Sequence, residues 1–513
     1  MHNSKFLLEL IYILDFGSQF SHLIEKRLKE MGIDAELVQH DFPTAKLKVA
    51  AGIILSGGPQ NLSENTSLKA DKKIFALGVP VLGICYGMQL MAHMLGGKVK
   101  SGKSGEYGPA KIQLNPDSDL FLSLYNEQEV WMSHGDSVRT LPKGFSDIAS
   151  TPDCPHAAME DSIRKLYGIQ FHAEVDHTPH GRTVLKNFAR TCGLLPSSAN
   201  KNNIKHMVQL IRNQVGKDKA LCAFSGGIDS VVAATLVSKA IGKQLTCIYV
   251  DTGLMREGET ELLRKNYSNI FNLKIIRAEK EFLTALKGLT DPESKRKTIG
   301  HTFIKIFERE AKKLKGIKWL VQGTLYTDAI SSGRGRGKAT AVIKSHHNVG
   351  GLPEKLGFKL LEPLRDMYKF EVRLLAAQLR LPAATVHKQP FPGPGLGVRV
   401  IGEVTKDKLE IVRRADKIVE EEVVAAQLTK MISQYFAILS NTKTVGVKGD
   451  GRSYGQMIGI RAIYTTDYLT LSVPEIPYSV LRKIVSRITN EIKEVTRVVY
   501  DITPKPPGTV EWE

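Results

Sequence analysis

Apolar and polar positions fall into two successive alternations and a tail. Residues 11–14 form a short apolar run, and residues 20–31 repeat their apolar positions with the period of a helix. The alternation continues to about residue 192, with β-rich runs at 52–55, 79–84 and 167–171 and a helical segment at 86–95. This predicts an α/β block in which helices cover a mainly parallel sheet. Residues 195–203 are polar, rich in turn formers and without period, which sets a linker and a boundary near residue 198. A second alternation follows: strands at 220–224, 245–250, 273–277 and 319–322, helices at 230–241 and 257–267. It predicts a second doubly wound sheet. Prolines and glycines at 389–397 forbid regular structure, and the pattern resets behind them. The tail reads strand 398–404, helix 408–427, strands 445–447 and 457–463, helix 478–493 and strand 497–502, the order of a small split βαβ unit. The expected fold class is therefore α/β: two doubly wound α/β domains, 8–195 and 199–388, and a small α+β domain, 389–513.

The 513 residues, at about 150 per domain, agree with three units. With 42% hydrophobic and 24% charged residues, the chain is neither disordered nor fibrous. Lys and Arg outnumber Asp and Glu by 71 to 53, and the resulting +18 would attract nucleotides, nucleic acid or an acidic membrane surface. Five cysteines, an odd number without CxxC spacing, argue against a disulfide framework or a zinc site and fit a reducing cytoplasm. The apolar start is interrupted by Glu9 and lacks a small-residue cleavage site, so it reads as a strand rather than an export signal. No apolar run approaches the roughly 18 residues needed to cross a bilayer.

Two bends carry chemistry. The first follows the apolar run 79–84: Cys85 ends the strand, a helix begins at Tyr86, and Gly83 and Gly87 flank the cysteine two positions to either side. This is the pattern of a nucleophile elbow with sulfur in place of oxygen, and the N-terminus of the following helix favours the anionic sulfur. A base is available from Gly168-Ile169-Gln170-Phe171-His172-Ala173-Glu174, with His172 at a strand end and Glu174 two residues on to orient it. The second bend is Ser225-Gly226-Gly227-Ile228-Asp229-Ser230, between a strand and a helix that continues through Val231. Its small residues let backbone N–H groups close around a pyrophosphate, Ser225 and Ser230 can donate hydroxyl hydrogen bonds, and Asp229 can hold Mg²⁺. Residues 97–104 match GxxxxGK[ST] letter for letter, but they follow a helix and lead into Gly105-Glu106-Tyr107-Gly108-Pro109, which cannot be helical. They read as a solvated basic loop.

The first bend and its His-x-Glu partner resemble the class I glutamine amidotransferases over residues 8 to about 192. That resemblance implies attack of the cysteine on the side-chain amide of glutamine, release of ammonia and hydrolysis of a thioester. It implies oxyanion donors at Gly57, in Ser56-Gly57-Gly58-Pro59, and at the backbone N–H of Tyr86. Ala173 stands where that family usually has proline. The second bend resembles the ATP pyrophosphatases, which cleave ATP between the α and β phosphates and adenylate a substrate. Both bends on one chain, followed by a tail ending Lys505-Pro506-Pro507-Gly508-Thr509-Val510-Glu511-Trp512-Glu513, resemble the glutamine-hydrolysing GMP synthase family; stretches 291–297, 322–326, 344–353 and 390–397 are similar to it too.

This wider resemblance implies glutamine, ATP and xanthosine 5′-monophosphate (XMP) as substrates. It also implies ATP contacts through Ser225 to Val231, Mg²⁺ at Asp229 with ATP, no organic prosthetic group, and Lys369 against the departing pyrophosphate. Arg296, Asp450, Lys505 and Glu511 are implied as XMP ligands, and the tail as a homodimerisation domain, with no membrane and no obligatory nucleic acid. Thr327 stands where that family commonly has proline, and 331–338 is unusually rich in Arg and Gly. Two alternatives stay open at this level: another glutamine-dependent adenylating enzyme acting on a carboxylate or a tRNA base, and a nucleotide- or nucleic-acid-binding protein whose centres have decayed.

Overall fold

A computed structural model of the chain describes residues 9–62, 67–195, 204–326, 328, 357–386, 388–448, 451–465, 471–505 and 507–513. Most of the expected linker, Thr327, the stretches 331–338 and 344–353, and Asp450 lie outside the described residues. Two compact units account for the rest, one containing the described residues up to Leu195 together with Asp328, the other those from Ile204 to Tyr326 and from Gly357 onward.

The first unit is built on a nine-stranded sheet in the spatial order Ala35–Gln39, Ile11–Asp15, Gly52–Leu55, Val81–Ile84, Leu166–Ile169, Ala158–Asp161, Ser146–Ser150, Lys98–Leu114, Glu127–Thr140. The first five strands are parallel. The other pairings are antiparallel, so the expectation of a mainly parallel sheet holds for only one half. Ile11 and Ile13 pack with Leu28 of helix Ser21–Glu30 and Phe188 of helix Gly181–Thr191. Tyr12 and Leu14 pack on the opposite face with Met88 and Leu90 of helix Tyr86–Met94. Both faces of the parallel strands are buried, which is why they read as unbroken apolar runs.

The expected basic loop at 97–104 is not a loop. From Lys98 onward its backbone opens the long strand Lys98–Leu114, paired to Glu127–Thr140 with register shifts between Lys98 and Val99 and between Ser101 and Glu106. The neighbouring strand supplies the buried apolar anchors Val130, Met132 and Val138, and Val99 packs against the cluster that contains Val138.

The second unit holds a five-stranded, fully parallel sheet in the order Asn272–Arg277, Leu245–Asp251, Lys219–Ala223, Ile317–Val321, Lys359–Leu361. The chain starts in the middle, winds to one edge and returns to the other, so the end of Lys219–Ala223 lies at a topological switch point, where such sheets bind ligands. The tail forms a three-stranded sheet. Gln434–Lys448 pairs antiparallel with Gly451–Ile463, which pairs parallel with Val495–Asp501. Helices Lys406–Ala425 and Tyr478–Glu491 pack beside it, and Leu221, Ile248 and Leu320 of the parallel sheet share one apolar cluster with Val412, Ile460 and Ile484 of the tail.

The expected strand at 398–404 is absent. A 3₁₀ turn, Gly395–Val398, and a single bridge between Val400 and Leu439 stand in its place. Pairing with Leu439 is confined to the Arg399 carbonyl and the Ile401 N–H, and the segment curls around fully buried Lys295, whose ammonium takes the carbonyls of Val400 at 2.8 Å, Gly402 at 2.9 Å and Gly397 at 3.4 Å. In an extended strand the carbonyls of residues 397 and 402 would lie about 16 Å apart, too far to meet one cation. Among the described residues, no helix is long and apolar enough to cross a membrane.

Candidate active sites

Cys85 joins strand Val81–Ile84 to helix Tyr86–Met94 with φ 52° and ψ −108°, a conformation costly for a residue with a side chain. The bend is held by backbone contact. A Cβ on Gly83 would lie 2.6 Å from the carbonyl of Gly87, and one on Gly87 would lie 2.3 Å from the carbonyl oxygen of Leu55. The elbow therefore needs both glycines for close approach. The Cys85 N–H donates to the Ile169 carbonyl at 2.8 Å, tying the bend to the strand that leads to His172.

His172 and Glu174 are both buried, and Glu174 Oε1 lies 2.7 Å from His172 Nδ1. The His172 carbonyl accepts from the Thr178 hydroxyl at 2.6 Å, and Phe20 meets the imidazole edge-on. Burial pulls the imidazole pKa down, but the Glu174 charge, the hydrogen bonds to Cys85 and Glu174 and the Cys85 charge outweigh it and hold the pKa well above its ordinary value. Gly57 belongs to the same site: a Cβ there would lie 3.2 Å from His172 Cε1. Tyr86 is the first residue of the helix behind the sulfur. Cys85, His172, Glu174, Gly57 and Tyr86 are thus gathered around one bend.

Four side chains escaped the sequence reading. Gln170 donates to Cys85 Sγ at 3.5 Å, Gln89 donates to Gln170 Oε1 at 3.2 Å and to the Asp136 carbonyl at 2.7 Å, and buried Arg27 donates to the Glu174 carbonyl at 3.0 Å. Their signal was faint: polar residues inside apolar segments. The fourth, His134, joins Glu106 and Cys154 in the one group of potential metal ligands found among the described residues. Its members are already engaged. His134 Nε2 faces Glu106 Oε2 at 3.0 Å, Nδ1 faces the Asp136 carbonyl at 3.0 Å, and the Thr151 hydroxyl donates to Glu106 Oε1 at 2.7 Å. Burial pushes the Cys154 thiol up to about 12, which makes it a poor ligand. The group braces residues 133–136, and the Ser133 carbonyl accepts from Cys85 Sγ at 3.7 Å.

The second bend leaves Lys219–Ala223 at the switch point and enters helix Ile228–Ile241 with Gly227 as its N-cap. Ser225 Oγ accepts from the Gly227 N–H at 3.3 Å and lies 3.1 Å from Ser230 Oγ, and Ser230 donates to the Gly227 carbonyl at 2.9 Å, so the loop closes on itself with the helix N-terminus beneath it. Gly226 has φ +74°, and the backbone at Gly323 presses so closely that a Cβ there would lie 2.9 Å from the Asp229 carbonyl carbon. Val231 follows in the buried face of the helix. Lys369, first residue of helix Lys369–Gln378, pairs with Asp229 Oδ2 at 2.6 Å. The part-exposed carboxylate of Asp229, at the N-terminus of the helix behind a glycine-rich loop, suits Mg²⁺, which takes one or two carboxylates plus substrate phosphates.

Of the four tail-related residues, Arg296 donates from helix Pro292–Lys312 to the main-chain oxygen of Glu513, and Glu511 receives Arg399. Lys505 is bridged to Leu471 through the backbone, and Asp450 lies outside the described residues. The tail is pinned along its length. Buried Arg461 donates to the carbonyls of Thr503 at 2.6 Å and Thr509 at 2.9 Å, and Trp512 Nε1 donates to Asp501 at 2.8 Å.

The model of the glutamine amidotransferase class-I family matches residues 12–192, and that of the GMP synthase C terminal domain matches residues 421–512. The chain is 52% identical to the glutamine-hydrolyzing GMP synthase of Bacillus licheniformis, over 99% of this chain and 100% of that one. It is 53% identical to that of Geobacillus kaustophilus, over 98% and 99% respectively. Among solved structures, a glutamine amidotransferase from Thermotoga maritima is 22% identical over 36% of this chain and 86% of its own, with a TM-score of 0.28.

Proposed function

Because the chain belongs to the glutamine-hydrolysing GMP synthase family, we propose that its two bends divide that family's reaction between them. The protein is an ATP-dependent amidotransferase ligase that makes GMP from XMP, with ammonia taken from glutamine. Cys85 is the nucleophile. Its sulfur attacks the carboxamide carbon, the oxyanion is met by the N–H groups of Gly57 and Tyr86, and His172 protonates the departing ammonia. Water then cleaves the thioester with His172 as base, and Glu174 keeps Nδ1 protonated so that the other ring nitrogen faces the chemistry.

At the second bend the C2 oxygen of XMP attacks the α-phosphate of ATP. Pyrophosphate leaves, the adenylyl ester forms, and ammonia displaces AMP at C2 to give GMP. Ser225 to Val231 cradle the phosphates, and Asp229 would hold Mg²⁺, which when bound with ATP offsets phosphate charge. Lys369 exchanges its carboxylate partner for the pyrophosphate as that group departs. Arg296, Lys505, Glu511 and Asp450 hold XMP. Residues 8–195, 199–388 and 389–513 serve as amidotransferase, pyrophosphatase and dimerisation domains.

One observation carries the whole: the same relatives match over 98–99% of the chain, a span that takes in the elbow, the phosphate loop and the tail. The direct test mixes the protein with ATP, Mg²⁺, glutamine and XMP and follows the absorbance change as XMP becomes GMP. An unchanged spectrum overturns the proposal. A homodimer through the tail is supported by exposed Val445, Val447 and Tyr454, with Val445 and Tyr454 directly opposite each other in the hairpin. Sedimentation as a monomer at working concentration contradicts it. Five free cysteines support a reducing compartment, the cytoplasm.

A further inference from the structure

Glu511 does not choose its own orientation. Arg399, fully buried, donates to its two carboxylate oxygens, from Nη2 at 3.1 Å and from Nε at 3.2 Å. The remaining arm, Nη1, reaches Asp416 Oδ1 at 3.4 Å, and that oxygen also accepts the Ala437 N–H at 3.0 Å. The guanidinium lies 4.0 Å from the centroid of the Phe436 ring. Helix Lys406–Ala425 supplies Asp416 and strand Gln434–Lys448 supplies Phe436 and Ala437, so two rigid elements fix one planar fork.

Taking a guanidinium wholly out of water is costly, and a buried ion pair replaced whole by well-packed apolar side chains often loses no stability. Its geometry, however, is specific: a side-on fork sets the plane of a carboxylate, which a lysine point charge cannot do. A carboxylate offers about four acceptor positions, and the fork occupies two of them. The rest serve whatever approaches the part of Glu511 that stays accessible, 11% of its side chain.

We propose that Arg399 is a positioning residue of the XMP site: it sets the plane of the Glu511 carboxylate so that the free acceptor positions meet hydrogen-bond donors of the substrate. The inference rests on the assignment of Glu511 as an XMP ligand. Asp416 and Phe436 hold the fork, and the substrate meets only the carboxylate.

The test is a cycle of Glu511→Gln, Arg399→Lys and the double variant, with KM measured separately for XMP and ATP and thermal midpoints recorded. Glu511→Gln and Arg399→Lys each raise the KM for XMP about 10- to 100-fold, leave that for ATP within about twofold, and combine without further loss. If Glu511→Gln leaves the KM for XMP unchanged, the ligand assignment fails. If Glu511→Gln raises it and Arg399→Lys does not, the positioning role fails. A lowered midpoint with unchanged KM values makes Arg399 merely structural and also overturns the proposal. Should Arg399→Lys not fold, Asp416→Asn, which loosens the same fork, carries the test: a raised KM for XMP alone supports it, and an unchanged one refutes it.

Discussion

Replacing Glu174 by Gln preserves the shape of the side chain and removes its charge. Oε1 lies 2.7 Å from His172 Nδ1, while Oε2 is buried without a hydrogen-bond partner, so the amide of the variant would bury an NH₂ with nothing to receive it. A hydrogen bond to a charged group contributes about 1.5–3 kcal/mol, and about 1.4 kcal/mol is a factor of ten in rate. Glutamine kcat/KM should therefore fall about 10- to 150-fold. Burial alone would lower the imidazole pKa, and the carboxylate is the strongest of the influences that raise it above 6.5. A group raised in the folded state contributes its full stabilisation below its ordinary pKa and loses it as pH climbs through the raised one. The intact protein accordingly keeps its imidazolium to higher pH than a free imidazole does, and the alkaline limb of glutamine hydrolysis is shifted upward with it. In Glu174→Gln the limb moves to lower pH. Ammonia release measured across pH, alongside GMP formation from added ammonium, reads both effects. An unmoved limb, or an equal loss in the ammonium-supported reaction, refutes the reasoning.

Asp229→Asn should lower ammonium-supported GMP formation by about 100-fold, as expected when several kcal/mol of metal and phosphate stabilisation is lost, with glutamine hydrolysis retained. Steady-state assays of both reactions check it. Gly87→Ala should cost about 1–3 kcal/mol or more by overpacking against the Leu55 carbonyl, read as a lowered midpoint in chemical denaturation. Gly393→Ala, where a Cβ meets nothing within 4 Å, should stay within about 0.5 kcal/mol of the original protein.

The two bends were legible in the sequence because each is written in backbone punctuation. Gly83 and Gly87 around Cys85 are required by backbone contacts that no side chain survives, and Gly226 before Asp229 by its left-handed φ of 74°, so their spacing carries the geometry. The central strands were legible because both faces are buried. What was not legible depends on partners distant in the chain. The Gly- and Lys-rich start of Lys98–Leu114 becomes a strand only because Glu127–Thr140 lies beside it. The apolar residues at 398–404 resemble a strand, but the segment curls so that its carbonyls meet Lys295, more than 100 positions earlier. The Gln89–Gln170 bridge and the Arg399 fork escaped for the same reason: a buried polar side chain has meaning only with its partner in view.

The central claim is that one chain makes ammonia at a cysteine bend and consumes it at a separate phosphate-binding bend. Cys85→Ala, assayed for GMP formation from XMP and ATP with glutamine and again with ammonium, tests it most directly. The account predicts no GMP with glutamine and near-unaltered formation with ammonium. Persistent glutamine use, or silence with both nitrogen sources in a folded variant, contradicts it.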